Sequence, residues 1–144
     1  MCLTELIEKK ELCKTARNNL AKGIGWKIFA KEGNNLYSWI FSDLCPKYKI
    51  NKWYHADNST LYTTYSQRYQ SGFHTYLRKK DAIKFISELN FLASEYQIMK
   101  VKFKNINCIG KQHHNYNYDR LNLVPFSYIS DVVVVKNILL LPNQ

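Results

Sequence analysis

The stretch at residues 98–110, IMKVKFKNINCIG, constrains this chain more than any other. Met99, Val101 and Phe103 alternate with Lys100, Lys102 and Lys104. Successive side chains of a strand point to opposite faces, so one face enters a core and the other carries three lysines in a row. Consecutive lysines on that face stand about 7 Å apart, a spacing comparable with that of phosphates along a nucleic-acid strand.

The segments around it also follow strand patterns. Aromatic and β-branched runs at residues 26–30 and 36–41 flank Glu32-Gly33-Asn34-Asn35, which is hairpin chemistry, so the domain starts antiparallel. KYKINKWYHA is a further strand, irregular at Asn51-Lys52, and residues 57–70 form a loop or an edge strand. Gly72 opens the short strand of SGFHTY. A helix then runs over residues 80–96, with Ala82, Phe85, Ile86, Leu89, Ala93 and Tyr96 on one face. KQHHNYNYDRLNLVPF is polar and aromatic and is expected to be a mobile loop before the buried strand DVVVV and a last apolar run ending at Pro142. At the other end, Thr4 can cap an amphipathic helix over residues 1–22. Leu6, Ile7, Cys13, Ala16 and Leu20 form its apolar side and Lys9, Lys10, Lys14 and Arg17 its basic side, and Gly23 and Gly25 stop it. Only one helix lies between strands, which excludes a doubly wound parallel fold. The expected fold is therefore α+β: a single domain over residues 1–144 with a core at 24–142. Its twisted, mainly antiparallel sheet has about five to seven strands, one packed helix and an additional N-terminal helix.

Charge narrows the function. With 21 basic and 11 acidic residues the formal net charge is +10, which points to an anionic partner such as nucleic acid, a nucleotide or an acidic protein surface. Part of the lysine excess fits a chain rich in AT-coded residues. No apolar run approaches the roughly 20 residues of a membrane span, and charges at Glu5, Glu8, Lys9, Lys10 and Glu11 occupy the place of a signal-peptide core. A cytoplasmic protein is expected. Cys2, Cys13, Cys45 and Cys108 are scattered and suit reduced thiols acting as small hydrophobes better than a zinc site. His113-His114 is the only histidine pair, so neither metal nor cofactor is expected.

The order GWKIF, KWY.A, SGFH.Y....DA, VKFKNI..IG and VVVVK..LLL, over residues 24–142, resembles a group of small proteins of phages and mobile elements. That resemblance implies a bacterial host and a non-catalytic protein that blocks or modulates a host defence system, for example a CRISPR effector. A weaker resemblance is to the ADP-ribosyltransferase-like fold. It implies a transferase or nucleotide binder with His74 and Asp131 in its cleft, although Lys27 and Asp131 depart from the residue types of that pattern.

No phosphate-binding glycine loop or nucleophile elbow is present, and no orienting carboxylate lies beside His74 by spacing. The binding reading therefore leads, with no catalytic residue assigned. Its candidate contacts are Lys47, Lys49, Lys52, Trp53, Tyr54, His74, Arg78, Lys79, Lys100, Lys102 and Lys104. Lysines and Arg78 would meet phosphates or acidic surface of a nucleic acid or ribonucleoprotein, while Trp53 and Tyr54 stack at the contact.

Overall fold

The structure, a computed structural model, describes residues 3–38, 47–88, 95–116 and 126–142. Every pairing between its strands is antiparallel, and the α+β class expected from the sequence is observed. Among the described residues nine strands are formed: β1 Glu5–Leu6, β2 Ile24–Glu32, β3 Asn35–Ser38, β4 Trp53–His55, β5 Thr60–Tyr62, β6 Arg68–Gln70, β7 Phe73–Tyr76, β8 Glu95–Tyr116 and β9 Phe126–Leu140. Two helices, α1 Lys14–Lys22 and α2 Lys79–Glu88, accompany them. Among the described residues, no helix is long and apolar enough to cross a membrane.

Seven strands form the main sheet in the order β1-β8-β2-β7-β9-β4, with β3 on β2. The start of β8 pairs with β2, and the rest of it turns onto β9. Because β2 also meets β7, and β7 meets β9, the strands β8, β2, β7 and β9 close into a ring. The turn of β8 is built by Asn105, at φ 59°, and by a register shift between Ile106 and Cys108, which is how a bulge bends a strand.

Burial follows the period-2 pattern on both faces. Phe29, Met99, Val101, Phe103, Val133 and Val135 pack on one face with Leu12, Ala16 and Leu20 beneath α1. Ile28, Tyr76, Val132 and Val134 pack on the other with Ala82 and Phe85 of α2. Val132 to Val135 are all 1% exposed or less, so the unbroken valine run marks a strand covered on both sides.

Local chemistry explains the ends of elements. Gly23 ends α1 in the left-handed region at φ 68°, its N–H bonding back to Leu20, a conformation that favours glycine. Gly33, at φ 60°, provides the turn between β2 and β3.

Three expectations are corrected. The N-terminal helix begins at Lys14, because Thr4 and Ile7 donate their N–H groups to Lys111 and Ile109 at the edge of β8, making Glu5–Leu6 a strand. Residues 9–11 form a short 3-10 turn. The N-terminal segment is part of the core, with Leu3 fully buried. Tyr96, expected on a helix, belongs to β8 opposite Ala30; Leu89 and Ala93 lie outside the described residues. Residues 111–116, expected in a loop, continue β8 against β9 as far as Tyr116 opposite Phe126, so backbone pairing holds a polar segment extended.

Candidate nucleic-acid interface

Alternation along β8 and pairing across it bring together one face. Lys100 is opposite Trp26 of β2. Lys102 is opposite Ile24 on one side and Leu139 on the other, and Leu139 is opposite Trp53 of β4. Lys104 is opposite Asn137, itself opposite His55. Directly paired residues share a face, so three lysines, two tryptophans and a histidine line up over four strands, with no carboxylate in these rows. This is the face that α2 covers over Ile28 and Tyr76; beyond Trp26 the lysines are exposed.

The side chains confirm the arrangement. The Lys104 ammonium stands 4.2 Å from the centre of the Trp53 ring, reaching across β9 to do so, and the Lys100 ammonium 6.0 Å from that of Trp26. Both contacts fall within cation–π range. Trp53 is partly exposed and belongs to neither core cluster. Its strand is anchored by polar groups: Asn105 Nδ2 donates to Asn137 Oδ1 at 2.6 Å, and Asn137 Nδ2 donates to His55 Nδ1. Asn137 is buried, at 2% exposure, so this chain of two amides and an imidazole ties β8, β9 and β4 together at the Lys104 end of the face.

The remaining candidates lie elsewhere. Tyr54 is opposite Ile138 and packs against the α1-side core. Its hydroxyl accepts from Lys49 N at 2.6 Å and donates to the Lys47 carbonyl, and Lys52 sits 5.4 Å over its ring. Trp53 and Tyr54 therefore point to opposite sides of the sheet, and Lys47, Lys49 and Lys52 gather around Tyr54. Arg78 is held by both oxygens of the buried Asp81, at 3.0 and 3.1 Å. Burial pulls its guanidinium down, but the Asp81 bonds and charge outweigh that and raise it. Lys79 is exposed in the first turn of α2.

His74 is partly buried and engaged at both ring nitrogens. Tyr69 Oη lies 3.0 Å from Nε2 and the Gly72 carbonyl 3.3 Å from Nδ1. Tyr69 Oη also accepts the Leu3 N–H, and the Gly72 carbonyl can only accept, so the contact at Nδ1 calls for the tautomer that carries its proton there. Burial first, then the charge of Lys27, pushes the His74 pKa down to about 3; the ring is neutral and fastens the β5–β6 hairpin to β7. Asp131 is buried and paired with Lys111. His74 is opposite Val134, on the α2 side, whereas Asp131 alternates with Val132 and so faces the other side with Val133. These two residues therefore do not share a cleft. Among the described residues, no group of three or more His, Cys, Asp and Glu side chains is placed to hold a metal; Cys2 and Cys45 lie outside them.

Sequence reasoning found Lys100, Lys102, Lys104 and Trp53 but not Trp26 or His55, which only strand pairing brings to the face. The chain matches no protein-family model, no curated protein and no solved structure, so the geometry of this face carries the functional argument.

Proposed function

We propose that this protein works by binding, and that its open basic and aromatic sheet face takes nucleic acid, either free or exposed on a ribonucleoprotein. The observation that carries this is the exposure of Lys100, Lys102 and Lys104 on one sheet face, beside the partly exposed ring of Trp53 and the ring of Trp26, which packs in part against the α2-side core. Lysines at strand spacing meet successive phosphates and release their counterions, while aromatic rings contribute sequence-tolerant contacts. In the setting implied by the sequence resemblance, a bacterial host carrying a mobile element, the bound nucleic acid belongs to a defence complex such as a CRISPR effector. Occupying its phosphates would then be the means of inhibition.

The test is the salt dependence of binding. Affinity for mixed-sequence RNA and DNA is measured over a salt series for the native protein and for Lys100→Ala/Lys102→Ala/Lys104→Ala. Each lost phosphate contact removes roughly 0.7–0.9 from the log–log slope, so the triple variant should bind more weakly and with a slope flatter by about 2. Unchanged affinity and slope in a folded triple variant would assign the stripe to solubility and end this reading.

A further inference from the structure

We infer that the nucleic acid taken by this face is a single strand, its backbone led along Lys100, Lys102 and Lys104 and its bases stacked at Trp53 and Trp26. This rests on the nucleic-acid reading above and adds the class of strand. Three observations carry it.

The first is the exposure of Trp53. Trp53 is partly exposed and belongs to neither core cluster, and the group over its ring is the mobile ammonium of Lys104, which a ligand can displace. Stacking on a base would use its ring face, and a duplex hides those faces inside its own stack.

The second is the path. From Lys100 to Lys104 the strand advances about 13 Å, room for three phosphates of an extended strand. Trp26 stands beside the first lysine on the β2 side, and Trp53 is reached by the last across β9. A strand running along β8 meets a ring near each end, with Lys102 between them. The footprint is about three to four nucleotides, at the short end for a single-strand site on a sheet.

The third is the pairing of each ring with its own lysine. In the free protein the ammonium of Lys104 occupies the Trp53 ring and that of Lys100 approaches Trp26. An arriving strand supplies a partner for both halves of each pair at once: phosphate for the ammonium and a base for the ring. A duplex supplies only the phosphate, which would draw the lysine away and leave the indole uncovered. The Asn105–Asn137–His55 chain holds β4, and with it Trp53, in place for this exchange.

The experiment uses fluorescein-labelled oligo(dU) and oligo(U) of about ten nucleotides and a duplex of the same length. Anisotropy is followed together with tryptophan emission. Single strands should bind at least about tenfold more tightly than the duplex and quench the indole emission. The better of the two oligomers identifies the preferred sugar. Trp53→Ala should weaken single-strand binding by roughly 5- to 100-fold with little change in salt slope, and Trp53→Phe should recover most of the loss. The triple lysine variant should do the reverse, flattening the slope while the residual complex still quenches. Equal affinity for duplex and single strand, with Trp53→Ala binding as the native protein does, would overturn the single-strand inference and leave the nucleic-acid reading standing. Failure of every probe to bind would remove both.

Discussion

Lys27 provides the sharpest test of the energetics. Its side chain is buried at 8% exposure, its ammonium donates to the His74 carbonyl at 3.1 Å and lies 5.8 Å over the Phe73 ring. Burial lowers its pKa from 10.5 to about 8. The cause is local: β2 pairs with β7 only at Trp26 and Tyr76 and is taken over by β3 from Phe29 onward, so the His74 carbonyl gets no ladder partner from β2 and the lysine supplies one. A folded-state value below the unfolded one means that stability is fully present above pH 10.5 and falls as pH drops towards about 8. That drop amounts to about 3 kcal/mol at 1.36 kcal/mol per pH unit. Lys27→Met keeps the apolar stem, removes this cost and gives up a hydrogen bond worth about 1–2 kcal/mol. The variant should therefore be about 1–2 kcal/mol more stable than the native protein at pH 7 and about 1–2 kcal/mol less stable near pH 10.5. Urea unfolding of both proteins at intervals from pH 7 to 10.5 measures this, because tyrosine and surface lysine titrations cancel in the difference. A difference that stays constant with pH would refute the reasoning.

Further outcomes follow from other buried groups. The His74 pKa, lowered by burial to about 3, makes stability fall as pH drops from the unfolded value of about 6.5 towards 3; His74→Gln should lessen that acid sensitivity in pH-jump unfolding. Thr75 Oγ1 is buried with no hydrogen-bond partner among the described residues, so Thr75→Val should raise the urea midpoint by the equivalent of about 1 kcal/mol. A Cβ at Gly25 would sit 2.9 Å from the Tyr76 carbonyl, and Gly25→Ala should lower the melting temperature by forcing β2 and β7 apart. Burial raises the Cys108 thiol to about 11 while Cys13 is exposed. Mass-spectrometric mapping after iodoacetamide treatment at pH 8 should find Cys13 alkylated well before Cys108.

How much of this was legible depended on distance along the chain. The lysine stripe was readable because a period of two is local and Met99, Val101 and Phe103 declare the buried side. The hairpin at Gly33 was readable for the same reason. The N-terminal helix was overextended because Leu6 and Ile7 satisfy a helical spacing equally well. The exposed edge of β8 decided the matter by pairing with Glu5 and Leu6, a tertiary demand that propensity does not carry. Residues 111–116 lack an apolar alternation, so nothing local announced the strand that pairing with β9 creates. The opposite aim of Trp53 and Tyr54 followed from alternation alone, yet composition grouped them. Trp26, His55 and Asn137 could not have been joined to the stripe without knowing the strand order, since three separate pairings bring them there.

The ring of strands is joined unequally. β8 and β9 share a ladder from Val101 to Tyr116, whereas β2 and β7 meet at one pair, Trp26 and Tyr76. Local opening begins where the fewest bonds must break, so the β2–β7 junction is the seam of the ring, and Trp26 sits on it. Amide protons of β7 that face this seam should exchange with solvent sooner than those of Val132 to Val135. Trp26 would thus report breathing of the ring, while Trp53, on a strand pinned by Asn137, would stay still through the same fluctuation.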